Sequence, residues 1–140
     1  MLRFLLVSAG NGSFSALQSY LKAWENIEIL EAASGNKAMT AVLNNDLQLM
    51  ISDETLPDMT GLELVKQVVV VNPMLNCALV SRLSQNAFHE ASEGLGVVMQ
   101  LSPNPGEIEC RELLRRLSQI IPQSGLSLQD QDPEGSSRTA

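Results

Sequence analysis

Residues 49–61 read LMISDETLPDMTG, an apolar run that stops at an aspartate and passes through a Leu-Pro turn to a glycine. A short apolar run bounded by turn formers has the length of a buried strand, not of a helix. Asp53 therefore stands where a strand leaves its sheet, and Pro57 and Gly61 punctuate the connection to the next element. A carboxylate in that place has two uses. It can react, or it can accept N–H bonds from the turn "ETLPD" and hold the loop.

Working outward, Leu47–Ser52 is one of five short β-rich runs, with Leu2–Val7, Ile27–Ala32, Cys77–Ser81 and Val97–Leu101. Between them lie segments of helical period: Ser13–Trp24, Gly35–Asn44, Gly61–Val71 and Gln85–Glu93, with a last helix over Gly106–Ile120. Leu17, Leu21 and Trp24 recur at helical spacing, as do Leu113, Leu114 and Leu117, so each helix has a stripe to bury. The run Val68–Val71 is strand-like by propensity, yet it continues the pattern Leu62, Val65, Val68, Val69 and is read as helix. Strict alternation with short connections predicts an α/β domain, a doubly wound parallel sheet covered on both faces. The expected domain covers residues 1–121. Periodicity is lost in the Ser-, Gln- and Asp-rich residues 122–140, which are expected to form a flexible C-terminal tail or an interdomain linker.

The chain has 140 residues, 44% hydrophobic and 18% charged, which fits one soluble globular domain. No apolar run approaches the roughly 20 residues of a membrane span, and Leu5-Leu6-Val7 is too short for the core of a signal peptide. A net charge of −7 argues against direct binding of nucleic acid, and the one basic cluster, Arg111, Arg115 and Arg116, is too small to alter that. Cys77 and Cys110 lack a metal-ligand or redox spacing, and His89 has no ligating neighbour in sequence. A reducing, cytoplasmic setting is expected.

In open α/β sheets, ligands and reactive groups collect at the carboxyl ends of the strands. Those ends supply Ser8, Ala9, Gly10 and Asn11, then Asp53 and Glu54, Ser81 and Arg82, and finally Ser102, Pro103 and Asn104. With Asp53, Pro57 and Gly61 in place, the segment LMISDETLPDMTGLEL resembles the phosphoacceptor segment of bacterial response-regulator receiver domains, the CheY-like family. Element order extends the likeness to about Ile120. The resemblance implies a (βα)5 flavodoxin-like sheet of strand order 2-1-3-4-5, and a signalling module of a two-component phosphorelay. It also implies Asp53 as phosphoacceptor assisted by Mg²⁺, and Ser81 as the switch hydroxyl that contacts the phosphoryl group.

Other positions depart from the family pattern. The acidic pair that holds Mg²⁺ falls on Ser8 and Ala9, the lysine after the fifth strand on Pro103 or Asn104, and the aromatic residue that moves with the switch on Gln100. Mg²⁺ takes hard oxygen ligands, commonly one or two carboxylates with water and phosphate, so weak Mg²⁺ binding through Asp53 and Glu54 is the most that is expected. The expected function is an atypical receiver with weak or absent Mg²⁺-dependent phosphorylation at Asp53, acting through protein–protein contact. Its expected partners are a sensor histidine kinase or a downstream signalling protein, with a homodimer as a further hypothesis. The family's partner face would carry Ala87, His89, Glu90, Gln100, Arg111 and Arg115. One alternative is a conventional phosphoacceptor with a rearranged metal site that uses Glu54 or Asn11. Another is a small nucleotide- or ligand-binding domain built on the loop SAGNGSFS, although its lone G-x-G is weak and Ser13 or Ser15 more simply caps a helix. No enzyme is expected, because Ser81 and Cys110 lack an identifiable base.

Overall fold

The computed structural model describes residues 1–10, 12–122 and 125–126. Five strands alternate with five helices: β1 Leu2–Val7, α1 Ser15–Leu21, β2 Ile27–Ala32, α2 Gly35–Asn44, β3 Leu49–Ser52, α3 Gly61–Val71, β4 Asn76–Val80, α4 Gln85–Ser92, β5 Val97–Leu101 and α5 Glu107–Ile120. All strand pairs are parallel and the sheet order is β2-β1-β3-β4-β5. The expected doubly wound sheet and its order are therefore observed. The tail expected over residues 122–140 lies, apart from Pro122, Gly125 and Leu126, outside the described residues.

The sheet separates two apolar layers. On one face Phe4, Leu6, Leu49 and Ile51 meet Leu17 and Leu21 of α1 and Leu113, Leu114 and Leu117 of α5. On the other, Leu5, Val7 and Met50 meet Ala38 and Val42 of α2 and Leu64, Val65 and Val68 of α3. Alternate residues of β1 thus enter opposite layers, as the two-residue period of a strand dictates. Cys110 belongs to the first layer and Cys77 to the second, so the sheet keeps these two free thiols apart. Burial pushes the pKa of each thiol up to about 12, with Glu107 adding to the effect at Cys110.

Several boundaries differ from the sequence reading. β3 begins at Leu49, because Gln48 turns its backbone N–H to the Arg3 carbonyl and its side chain to the Arg3 N–H. α1 is shorter than expected. Its N-cap is Phe14, with no side-chain cap, and the chain leaves the helix after Leu21 through turn bonds that bring Trp24 into the core. Neither serine caps that helix: Ser15 Oγ donates to the Gly12 carbonyl, and Ser13 Oγ points elsewhere. The Val68–Val71 run is helical; of the expected stripe Val65 and Val68 are buried, while Leu62 and Val69 are half-buried and Leu64 takes the remaining place in the core. A capping box at Thr60 and Glu63 sets that register, each side chain accepting the other's backbone N–H.

A candidate phosphoacceptor rim

Strand register brings the sequence-predicted residues to one edge. Val7 pairs with Ser52, Ser52 with Leu79, and Val80 with Leu101, so Ser8, Asp53, Ser81 and Ser102 follow one another along the carboxyl rim. Asp53 continues the ladder by one bond, its N–H donating to the Val7 carbonyl at 2.9 Å. The backbone therefore fixes where its carboxylate emerges.

The turn beyond Asp53 is built to stay put. Leu56 N–H donates to the Met59 carbonyl, and Thr55 and Thr60 form an antiparallel bridge, leaving Pro57 and Asp58 at the tip. Asp58 then reaches across to α2, where its carboxylate accepts the N–H groups of Gly35 and Asn36 at 2.8 and 2.9 Å. Those two bonds, Gly35 first, hold its pKa below the usual carboxylate value. Gly61 closes the turn, with its N–H on the Glu54 carbonyl. A Cβ at residue 61 would collide with the Asp53 carbonyl oxygen and with Leu79, so only glycine fits between α3 and the end of β3.

Both oxygens of Asp53 have partners. Oδ1 accepts the N–H of Glu54 at 2.8 Å, and Oδ2 accepts the hydroxyl of Ser13 at 2.7 Å. The first is the turn chemistry expected for this carboxylate. The second joins residues 40 apart in sequence, and no local pattern announces it. Glu54 faces Arg82: its Oε2 accepts the Arg82 backbone N–H and its Oε1 the guanidinium, each at 3.0 Å. Arg82 is an exposed loop arginine, its side chain 73% accessible, and Glu54 ties it to the rim.

Ser81 is buried, and its Oγ accepts the Leu83 N–H at 3.1 Å, satisfying the loop backbone. Gln100 does not lie idle in β5: its Nε2 donates to the carbonyls of Ser81 and Leu83, at 3.1 and 2.8 Å. Ser8 Oγ accepts the Gly10 N–H and Ala9 is exposed, and neither of these side chains brings a carboxylate. Pro103 and Asn104 are exposed, Asn104 with a left-handed φ of 54°, and neither brings a cation. Ser102 is bonded to Glu109 of α5.

Mg²⁺, which the resemblance implies, would meet Asp53 but no acidic pair at Ser8 and Ala9. Among the described residues no three His, Cys, Asp or Glu side chains gather to hold a metal, and both oxygens of Glu54 are engaged by Arg82. Asn11, the other ligand considered, lies outside the described residues. The glycine loop borders a cavity of about 480 Å³ whose lining includes Ser8, Gly10, Gly12, Glu31 and Lys37. The lining pairs one cation, Lys37, with a carboxylate, Glu31, and the N–H that opens α1, that of Ser15, is spent on the Gly12 carbonyl. The basic residues of α5 are likewise paired, Arg111 with Glu107, and Arg115 and Arg116 with Glu112.

Comparison with known proteins places this geometry in a family. The model of the response regulator receiver domain matches residues 5–104, and the chain belongs to that family. Receiver domains are in general signalling modules of two-component systems that work with histidine kinases and downstream effectors, not enzymes. No curated protein matches the chain in sequence. Among solved structures, a CheY-like receiver domain protein from Methanospirillum hungatei is 21% identical with a TM-score of 0.71, the match covering 89% of this chain and 96% of that one. The chemotaxis response regulator CheY4 of Vibrio cholerae is 20% identical with a TM-score of 0.72, over 84% and 98% of the two chains. The response regulator TrrA from Thermotoga maritima, solved in complex with Mg²⁺ and BeF, is 21% identical with a TM-score of 0.70, over 84% and 99%. At these identities the likeness shows the fold alone.

Proposed function

We propose that this receiver domain is an atypical signalling module, in which Asp53 is phosphorylated weakly or not at all by Mg²⁺-dependent chemistry and output runs through protein–protein contact. The observation that supports this most directly is the engagement of Glu54 by Arg82, because Glu54 is the one carboxylate adjoining Asp53 that could replace the missing acidic pair. A phosphoryl group carries its charge on oxygens that need cations or N–H donors around them. Asp53 has instead a hydroxyl and a single backbone N–H, and the positions expected to bring an ammonium hold Pro103 and Asn104. The partner is a histidine kinase of the phosphorelay or a downstream signalling protein, met by a surface of mixed charge.

The test is phosphoryl transfer from a small acyl phosphate in the presence of Mg²⁺, read by intact mass. The expected spectrum shows the unmodified chain. A phosphorylated species that disappears in Asp53→Asn would return the protein to the conventional phosphoacceptors.

A further inference from the structure

Residues 81–83, which join β4 to α4, are held at successive positions by side chains from two other elements. The Arg82 N–H and guanidinium are bonded to the two oxygens of Glu54, from the turn after β3. The carbonyls of Ser81 and Leu83 both accept from Gln100 Nε2, in β5. The Leu83 N–H closes on Ser81 Oγ. Two carbonyls converging on one atom require the amide nitrogen of Gln100 there, which settles its orientation. The next residue, Ser84, is the N-cap of α4, and its hydroxyl accepts the Ala87 N–H.

We propose that Glu54, Arg82 and Gln100 form a latch that fixes the β4–α4 connection, and with it the first turn of α4, in one position whatever the state of Asp53. An exposed ion pair alone adds little. Here, however, three of the four bonds made by Glu54 and Gln100 go to backbone groups, so they constrain the path of the chain and not merely a side chain. The bond from the Arg82 N–H to a carboxylate is charge-assisted, and Gln100 is anchored in the sheet. Gln100 acts on the loop with no bond to Asp53, and although the Glu54 N–H donates to Asp53 Oδ1, the Glu54 carboxylate that grips the loop does not. The inference extends the reading of an output uncoupled from Asp53, but its test uses no phosphodonor and so stands or falls separately.

The experiment is native-state amide hydrogen exchange on the full chain, comparing Glu54→Ala, Gln100→Met and Asp53→Asn with the parent. Exchange at Arg82 and Leu83 is expected to rise about tenfold in Glu54→Ala and in Gln100→Met, while the Ile51 amide in β3 keeps its rate. Asp53→Asn is expected to leave Arg82 and Leu83 unchanged. Unaltered exchange in both latch variants would overturn the proposal. So would equal acceleration at Ile51 in both, which marks global destabilisation, or an Asp53→Asn effect as large as that of Glu54→Ala.

Discussion

Gly61 and Gly35 both sit at helix starts beside the site, and they differ in what replaces their missing side chain. At Gly61 the space is taken by the Asp53 carbonyl and Leu79, and a strand backbone cannot step aside. At Gly35 it is taken by the side chain of Met59, a flexible thioether. Gly61→Ala is therefore expected to cost about 1–3 kcal/mol by overpacking, and Gly35→Ala clearly less, since alanine also favours the helix. Urea denaturation of the two variants checks the order; equal midpoints would contradict it. Gly61 was legible in the sequence as the glycine that opens a helix, but its reason was not, because the collision involves a strand eight residues back and another strand beyond. The same holds for Ser13 with Asp53, Glu54 with Arg82, and Gln100 with Ser81. Each pair is separated by 19 or more residues, and only the strand order brings them together.

At the scale of elements, α3 shows how local signals settle a contest of propensities. The Val68–Val71 run favours a strand, but Thr60 and Glu63 start a helix whose Leu64, Val65 and Val68 fill the core. Thr60-x-x-Glu63 is a sequence-level signature, so the start of the helix is readable, whereas the choice of Leu64 over Leu62 for the core is made by the packing. Thr60→Ala is expected to cost about 1 kcal/mol, measurable by the same denaturation. Bonding to the Thr60 backbone N–H, then to the Thr60 side chain, lowers the Glu63 pKa from its ordinary 4.5. The sign follows from proton linkage: near pH 4 the unfolded chain binds more protons at this group, so its contribution is present above about pH 4.5 and fades as pH falls through the folded value. Glu63→Gln keeps the cap but removes the charge. Its stability deficit against the parent is expected to shrink between about pH 5 and about pH 3, and a deficit independent of pH would contradict the linkage. Asp58, held down by Gly35 and Asn36, adds to the parent's acid sensitivity in the same direction.

Across the whole molecule, the layered architecture was the most legible feature, because apolar runs of two periods alternate without exception from Leu2 to Ile120. The far limit of the core was not. Leu126 is 3% exposed and packs in the layer with Trp24 and Leu117, beyond the boundary placed at residue 121. A single leucine in a polar stretch has no period to betray it. Leu126→Ala is expected to lower stability by about 2–5 kcal/mol, the range for a buried leucine; an unchanged urea midpoint would show that the core closes without it. At the rim, the sequence alone singles out Asp53 and the positions Ser8, Ala9, Pro103 and Asn104, whereas the bonds of Asp53 to Ser13 and of Glu54 to Arg82 emerged only from the fold. The central claim, a receiver fold whose acceptor rim no longer answers to Mg²⁺ and a phosphoryl group, is tested most directly by amide NMR. Mg²⁺ and then beryllofluoride would be titrated into the parent chain and Asp53→Asn. The account predicts no saturable shifts at Asp53, Ser81 or Asn104 at millimolar Mg²⁺. Saturable shifts at those residues, lost in Asp53→Asn, would contradict it.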